Sequence, residues 1–214
     1  MSARTLLNTL AAAIAITAVL AGCSGTDTGS GSPSSAPAEP GRAPTQVHWS
    51  DFSGVQVPTS RVDGPNETSV GGVPSGYSHT PQGAILTIEQ AQARLSLTPD
   101  GAWPQVLNAV TAPGPGRDAF ASTRVFASIT SGSKATKAQQ YVGYTFTTYT
   151  PERADAVVVT RDATGVSTAT PTTAIWRGDD WKLLLPDPAS NPPAPQMVQD
   201  GVARDVVAFA APGN

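Results

Sequence analysis

The apolar residues of this 214-residue chain change their spacing near Lys137, and that change decides the fold class. Between Thr80 and Ile129 they recur every three or four positions, as they do along a helix face. In TPQGAILTIEQAQARLSL, Thr80 is placed to cap a helix, and Pro81 fits the first turn, where its missing N–H costs nothing. Ala84, Ile85, Ile88, Ala91 and Leu95 then share one face, which predicts an amphipathic helix buried on that side. Two more helical stretches are expected, residues 100–111 on Trp103, Val106, Leu107 and Val110, and residues 116–129 on Phe120, Phe126 and Ile129. The breaker APGPG separates them. After Lys137 the period falls to two. QQYVGYTFTTYT, DAVVVT, GVSTATPTTAIW and WKLLLP are rich in β-branched and aromatic residues and joined by short turns, which predicts a four-stranded antiparallel meander. The expected class is α+β, with helices packed on a curved antiparallel sheet.

The last hairpin is the most specific local feature. In IWRGDDWKLLL a loop over residues 177–180 sets Trp176 opposite Trp181 and puts Ala174, Leu183 and Leu185 on the face that meets the helices. Residues 80–187 thus form the expected domain. Ahead of it, residues 46–79 read as an extended segment: VHWSDFSGVQVPTS alternates as one short strand, and RVDGPNETSVGGVPSG is dense in turn residues. Residues 188–214 read as a C-terminal extension that ends in a short element carrying Val202, Val206 and Phe209.

The first 45 residues have a different character. Residues 1–22 carry one positive charge at Arg4, an apolar run from Ala11 to Leu20 and no acid, the layout of an export signal. A spanning helix needs ~20 apolar residues, and the polar Asn8 and Thr9 leave this run short. The only cysteine, Cys23, follows at once. Residues 24–45 are Ser, Gly, Pro, Thr and Ala with scattered charges and nothing large to bury, so 23–45 is expected to be a disordered linker.

Leu20-Ala21-Gly22-Cys23 resembles the lipobox of bacterial lipoproteins, in which a peptidase cuts before a cysteine that carries a diacylglyceryl group. The resemblance implies cleavage between Gly22 and Cys23, lipidation (palmitate included) of Cys23, and a chain held by membrane lipid on the extracytoplasmic face. Two acyl chains suffice for stable attachment, since each buried methylene contributes ~0.8 kcal/mol. The alternative is ordinary secretion, because Val19-Leu20-Ala21 also suits a general signal peptidase. Helices followed by a meander with a tryptophan hairpin are similar to the nuclear transport factor 2-like superfamily, whose curved sheet wraps its helices into a cone. Trp176, Gly178, Asp179, Trp181 and Leu183 carry that resemblance, and it extends over residues 80–187. The segments WSDFSGVQVPTSRVDGP and GYSHTPQGAIL resemble a group of actinobacterial envelope proteins often associated with mobile elements, and conjugation proteins use domains of the same superfamily as extracytoplasmic scaffolds.

Chemistry is sparsely signalled. The formal net charge is −3, and losing Arg4 with the leader makes it more negative, so the basic stripe of a nucleic-acid binder is missing. His79 in YSHTP stands beside a helix start, where a base could sit, yet packing or hydrogen bonding there is the more economical role. GYSHT falls one residue short of a nucleophile elbow. GPGRDA (residues 114–119) matches the glycine spacing of a dinucleotide turn but lacks the preceding buried strand, and reads as a linker between helices. With two histidines and one acylated cysteine, no metal-ligand spacing is present and no cofactor is expected. The resemblance to the cone superfamily implies an acid and tyrosines inside the cone, for which Asp155, Tyr141 and Tyr144 are the candidates. The expected role is that of a non-enzymatic scaffold or interaction component of an envelope assembly, conjugal transfer included, with envelope proteins as partners. The rival is a carrier or sensor of an apolar small molecule in the cone, followed by an isomerase-like enzyme.

Overall fold

The computed structural model describes residues 39–69, 71–135, 139–198 and 206–209. All of them belong to one compact unit, Pro37–Asn214. Two small hairpins come first, β1 (Val47–Phe52) with β2 (Val55–Ser60), and β3 (Glu67–Ser69) with β4 (Val73–Ser75). Helices α1 (Pro81–Leu97), α2 (Trp103–Val110) and α3 (Pro115–Arg124) follow. The meander is β5 (Gln140–Thr150), β6 (Arg153–Arg161), β7 (Ser167–Arg177) and β8 (Asp180–Leu184). Two short strands complete its sheet, β9 (Gln196–Val198) beside the first half of β7 and β10 (Val207–Ala208) beside β5. The strand path is β10-β5-β6-β7-β8, and every pairing in it is antiparallel. The expected α+β class, helices on an antiparallel meander, is what the chain forms.

Helix α1 starts where its sequence says. The Thr80 hydroxyl accepts from the Gly83 N–H and Pro81 occupies the first turn. Its burial departs from expectation: Pro81 through Ala91 are all buried, polar residues included, rather than one face of the helix. The sheet covers one side, and on the other lie β2, residues 39–42 and α2. Most of the polar groups drawn inside find partners. The Gln90 amide donates to the Pro58 carbonyl, Thr87 donates to Gly83, and Gln82 donates to the carbonyls of Glu39 and Arg42. Ile85, Leu86 and Ile88 are wholly buried, each contributing about 1.5–3 kcal/mol of transfer free energy.

Four expectations need correction. The segment expected as one strand is a hairpin, because Ser53 and Gly54 take φ of 51° and 88° and reverse the chain as a two-residue turn requires. The end of the expected linker is ordered: besides the two bonds from Gln82, the Tyr144 hydroxyl donates to the Arg42 carbonyl and Ser60 donates to the carbonyl of Thr45. Helix α3 stops at Arg124 instead of continuing to 129, so Phe126, expected on its buried face, is 89% exposed. Arg124 causes the stop. Its guanidinium turns back to the carbonyls of Ala127 and Thr98 and to the Asp100 carboxylate, and cations at a helix end suit the unpaired carbonyls there. At the C-terminal side, Phe209 is buried against Tyr144 and Trp49, which makes the expected extension part of the core. Val206 also lies in the described fold, close over Gly143, whereas Val202 lies outside the described residues.

Candidate functional site

The tryptophan hairpin places its residues as the register predicts. Trp176 pairs directly with Trp181 across β7 and β8, their rings meeting edge to face at 5.5 Å. Gly178 takes the positive φ (67°) that the tight turn demands. Trp181 is buried and its indole N–H donates to the Ser78 carbonyl. His79 stacks on Trp176 with ring centroids 3.9 Å apart, and its Nε2 bonds the Pro151 carbonyl. It therefore packs and bridges at the start of α1, with no acid oriented on it among the described residues. Asp179 is exposed in the turn. The carboxylate that matters is its neighbour: Asp180 is buried and accepts from the backbone N–H groups of Gly76, Tyr77 and Trp181, with Lys182 at 3.3 Å. This corner is a clasp between the last strand and the segment before α1. The sequence reading missed Asp180, although a second acid beside the turn was visible.

The three residues considered for chemistry inside the cone are not brought together. Tyr141 pairs with Thr160 and Tyr144 with Val158, so both tyrosines face the helices. Asp155 has the opposite parity on β6 and pairs with Thr173, which puts it on the outer face of the sheet. Each tyrosine hydroxyl is spent on a carbonyl, Tyr141 on Glu89 and Tyr144 on Arg42, and burial raises the pKa of both hydroxyls.

Beside those tyrosines lies a group that sequence reasoning also passed over. Glu89 is fully buried, and neither carboxylate oxygen has a hydrogen-bond partner among the described residues. Burial raises its pKa well above the usual carboxylate range and so favours the neutral acid. The signal was present in the helix itself, since Glu89 is four residues from Ile85 and lies on the same stripe.

On the outer face a groove of about 850 Å³ runs between the sheet and residues 184–193. Pro171, Pro186, Pro192 and Pro193 wall it, and Arg153 and Asp155 sit in it as a two-pronged ion pair, both contacts at 2.8 Å. Thr173 donates to the same carboxylate at 2.7 Å. Partial burial pushes the Asp155 carboxyl up, but the hydrogen bonds from Arg153 and Thr173 outweigh it and hold the group below its ordinary value. Such a groove offers apolar walls with a fixed polar floor, the composition of a binding surface.

The glycine-spaced segment near α3 has a packing role. Pro115 and Gly116 form the first turn of α3 rather than a linker, and a side-chain carbon on Gly116 would collide with the Leu185 carbonyl. Among the described residues no cluster of His, Cys, Asp or Glu is placed to hold a metal ion, and no helix is long and apolar enough to cross a membrane. Gly22 and Cys23 lie outside the described residues.

An α+β domain with a clasped tryptophan hairpin and an outer groove is thus the unit to be placed among known proteins. The chain belongs to the DUF8175 family, a domain of unknown function, whose profile matches residues 15–203. Comparison with curated proteins gave no match, and comparison with solved structures gave none.

Proposed function

We propose that this chain is a lipid-anchored, extracytoplasmic interaction module that binds envelope proteins without catalysing a reaction, a scaffold component of an envelope assembly such as a conjugal transfer machine. Its fold is read as the cone of the nuclear transport factor 2-like superfamily, supported by the order of helices and meander and by the Trp176–Trp181 hairpin. Cys23, acylated after cleavage at Gly22, holds it to the membrane. One observation carries the binding role: a hollow of about 850 Å³ lies on the outer face of the sheet, while on the helix-facing side the space beside Ala154, Ala156 and Ala174 is filled by Ile85, Leu86, Ile88 and Tyr144. An apolar cargo has no comparable space among those side chains. The occupant of the groove is an extended segment of a partner protein, lying between proline walls and reading the Arg153–Asp155 pair.

The test uses the full chain in its native membrane, with a photo-crosslinking side chain at Thr147 on the groove or at Thr68 in β3 as a control. A protein adduct from Thr147, absent from Thr68 and lost with Asp155→Arg, supports the reading. Equal adducts from both positions, or an adduct indifferent to Asp155→Arg, overturn it. Fatty-acid labelling lost in Cys23→Ala, with release from the membrane, tests the anchor separately.

A further inference from the structure

Helix α3 ends in a turn that faces its apolar residues outward. Val125 and Phe126 are 63% and 89% exposed, whereas Arg124 beside them is buried. A lone apolar side chain on a surface is ordinary, but an adjacent pair at the apex of a bonded turn is a more specific feature. The turn is fixed from below. The Arg124 guanidinium donates to the carbonyls of Ala127 and Thr98 and to the Asp100 carboxylate, which also accepts from the Ser128 hydroxyl and the Ile129 N–H. The Phe126 N–H donates to the Thr123 carbonyl, and the Asp100 N–H to that of Ile129. This polar network holds two apolar side chains in solvent, where each forgoes the free energy that burial would return.

The surface around the pair is polar without being charged. Residues 125–133 read VFASITSGS, with no ionisable side chain and with hydroxyls at Ser128, Thr130, Ser131 and Ser133. The cation of the turn, Arg124, is met by Asp100 at 3.0 Å. Asp118 stands about two turns back along α3, beside Arg117. The first ionisable residue beyond the turn is basic, the exposed Lys134. A partner surface that is read by charge finds nothing to pair with at this apex. Apolar side chains at the tip, hydroxyls behind them and a cation further back follow the order met on leaving a bilayer with anionic headgroups: acyl chains, the headgroup boundary, then the charged face in water.

We propose, on the reading that Cys23 anchors the chain, that the Val125–Phe126 tip inserts at the boundary of headgroups and acyl chains in the same membrane and so fixes which way the domain faces. The chain's dimensions permit it. Glu39, where the described fold begins, is held by Gln82 at the start of α1, while Arg124 reaches Thr98 just past its end. The 17 residues of that helix put these points about 25 Å apart. Glu39 stands 16 residues after Cys23, a length that spans at most about 55 Å. The tip can therefore meet the bilayer that holds Cys23. Two side chains are too few to keep a protein on a membrane by themselves. Beside an anchor they act at high effective concentration and set orientation rather than attachment.

The experiment uses the full acylated chain in vesicles of equal phosphatidylcholine and phosphatidylglycerol with brominated acyl chains. The acylated Cys23 leaves no other thiol, so a nitrobenzoxadiazole label goes only to Ala127→Cys on the tip or, as a control, to Asp179→Cys in the β7–β8 turn. That turn lies at the other end of α1, where Trp181 bonds Ser78. Bromine should quench the label at 127 about threefold or more above the label at 179. Phe126→Ser should bring the two to the same level while the chain still floats with the vesicles, and because Phe126 is exposed this variant leaves the core intact. Equal quenching at the two positions in the otherwise unchanged chain, or quenching at 127 that Phe126→Ser does not alter, overturns the proposal. A chain that fails to float overturns the anchor and the tip together, whereas a floating chain without quenching at 127 overturns the tip alone.

Discussion

The two faces of the meander are made from the same strands and end in opposite conditions. The inward residues Ala154, Ala156 and Ala174 are small and buried, which lets α1 come close enough for Ile85, Leu86 and Ile88 to fill the space. The outward residues one position along, Arg153, Asp155, Val157 and Thr173, are partly exposed and pair with one another or border a groove. Alternation alone fixes which residue meets which environment. It does not fix how deep each environment is. The inward face is deep because a single helix is covered from behind by β2 and residues 39–42, and the outward face is shallow because residues 184–193 border it without sealing it.

That contrast is broken most severely at Trp181. Trp181→Ala removes the largest fully buried side chain and its bond to Ser78, and should cost about 3–5 kcal/mol, read as a drop in thermal unfolding temperature. Next in size is Glu89→Gln, whose effect depends on pH. The folded-state pKa of Glu89 lies above its unfolded value of 4.5, so its contribution is fully present below that pH and is lost as pH rises toward the folded value. The wild-type chain should lose about 1.4 kcal/mol per pH unit across that window, and the glutamine variant should not. Denaturant titrations between pH 4 and pH 9 check this; parallel curves for the two proteins would show that Glu89 is not held neutral. Asp180→Asn, which weakens bonds to three backbone N–H groups, should cost about 1–3 kcal/mol and expose the segment around Gly76 and Tyr77 to hydrogen exchange. The smallest effect belongs to the outer face. Asp155→Asn should change stability by about 1 kcal/mol or less, because its pair with Arg153 is partly solvated, and a larger loss would mean the groove floor belongs to the core.

What the sequence revealed follows the range of the forces involved. The start of α1 was legible because Thr80 and Pro81 act within one turn, and the Trp176–Trp181 pair because a tight hairpin fixes its own register. The reversal at Ser53-Gly54 is carried by a Ser-Gly turn signal, but the alternation on either side of it continues and masks the break. The remaining features depend on distant segments. The end of α3 is set by where Arg124 finds carbonyls and an acid in other loops. Glu89 is buried by strands that follow it by fifty or more residues, as the Tyr141 bond to its carbonyl shows. The superfamily resemblance sets Asp155 beside Tyr141 and Tyr144, but the register, with β5 shifting between Tyr141 and Gly143 and again between Phe146 and Thr148, puts the two tyrosines on the helix-facing side and Asp155 on the other. The alternation of GVSTATPTTAIW is plain, but which alternate set points inward is decided by pairing with β6.

Phe209 has a consequence for the order in which the molecule is completed. Its ring lies 6.0 Å from that of Trp49 and 5.2 Å from that of Tyr144, so the first hairpin, the middle of the sheet and the last described strand meet at one point. A chain emerging from its ribosome holds Trp49 long before it holds Phe209, and closing the loop between them must wait for the whole of the intervening sequence. Until then the Trp49 side of the core lacks its cover, and the growing polypeptide carries an unsealed aromatic surface that it must keep from its neighbours. Sealing of that surface is therefore timed by the arrival of the segment that carries Phe209.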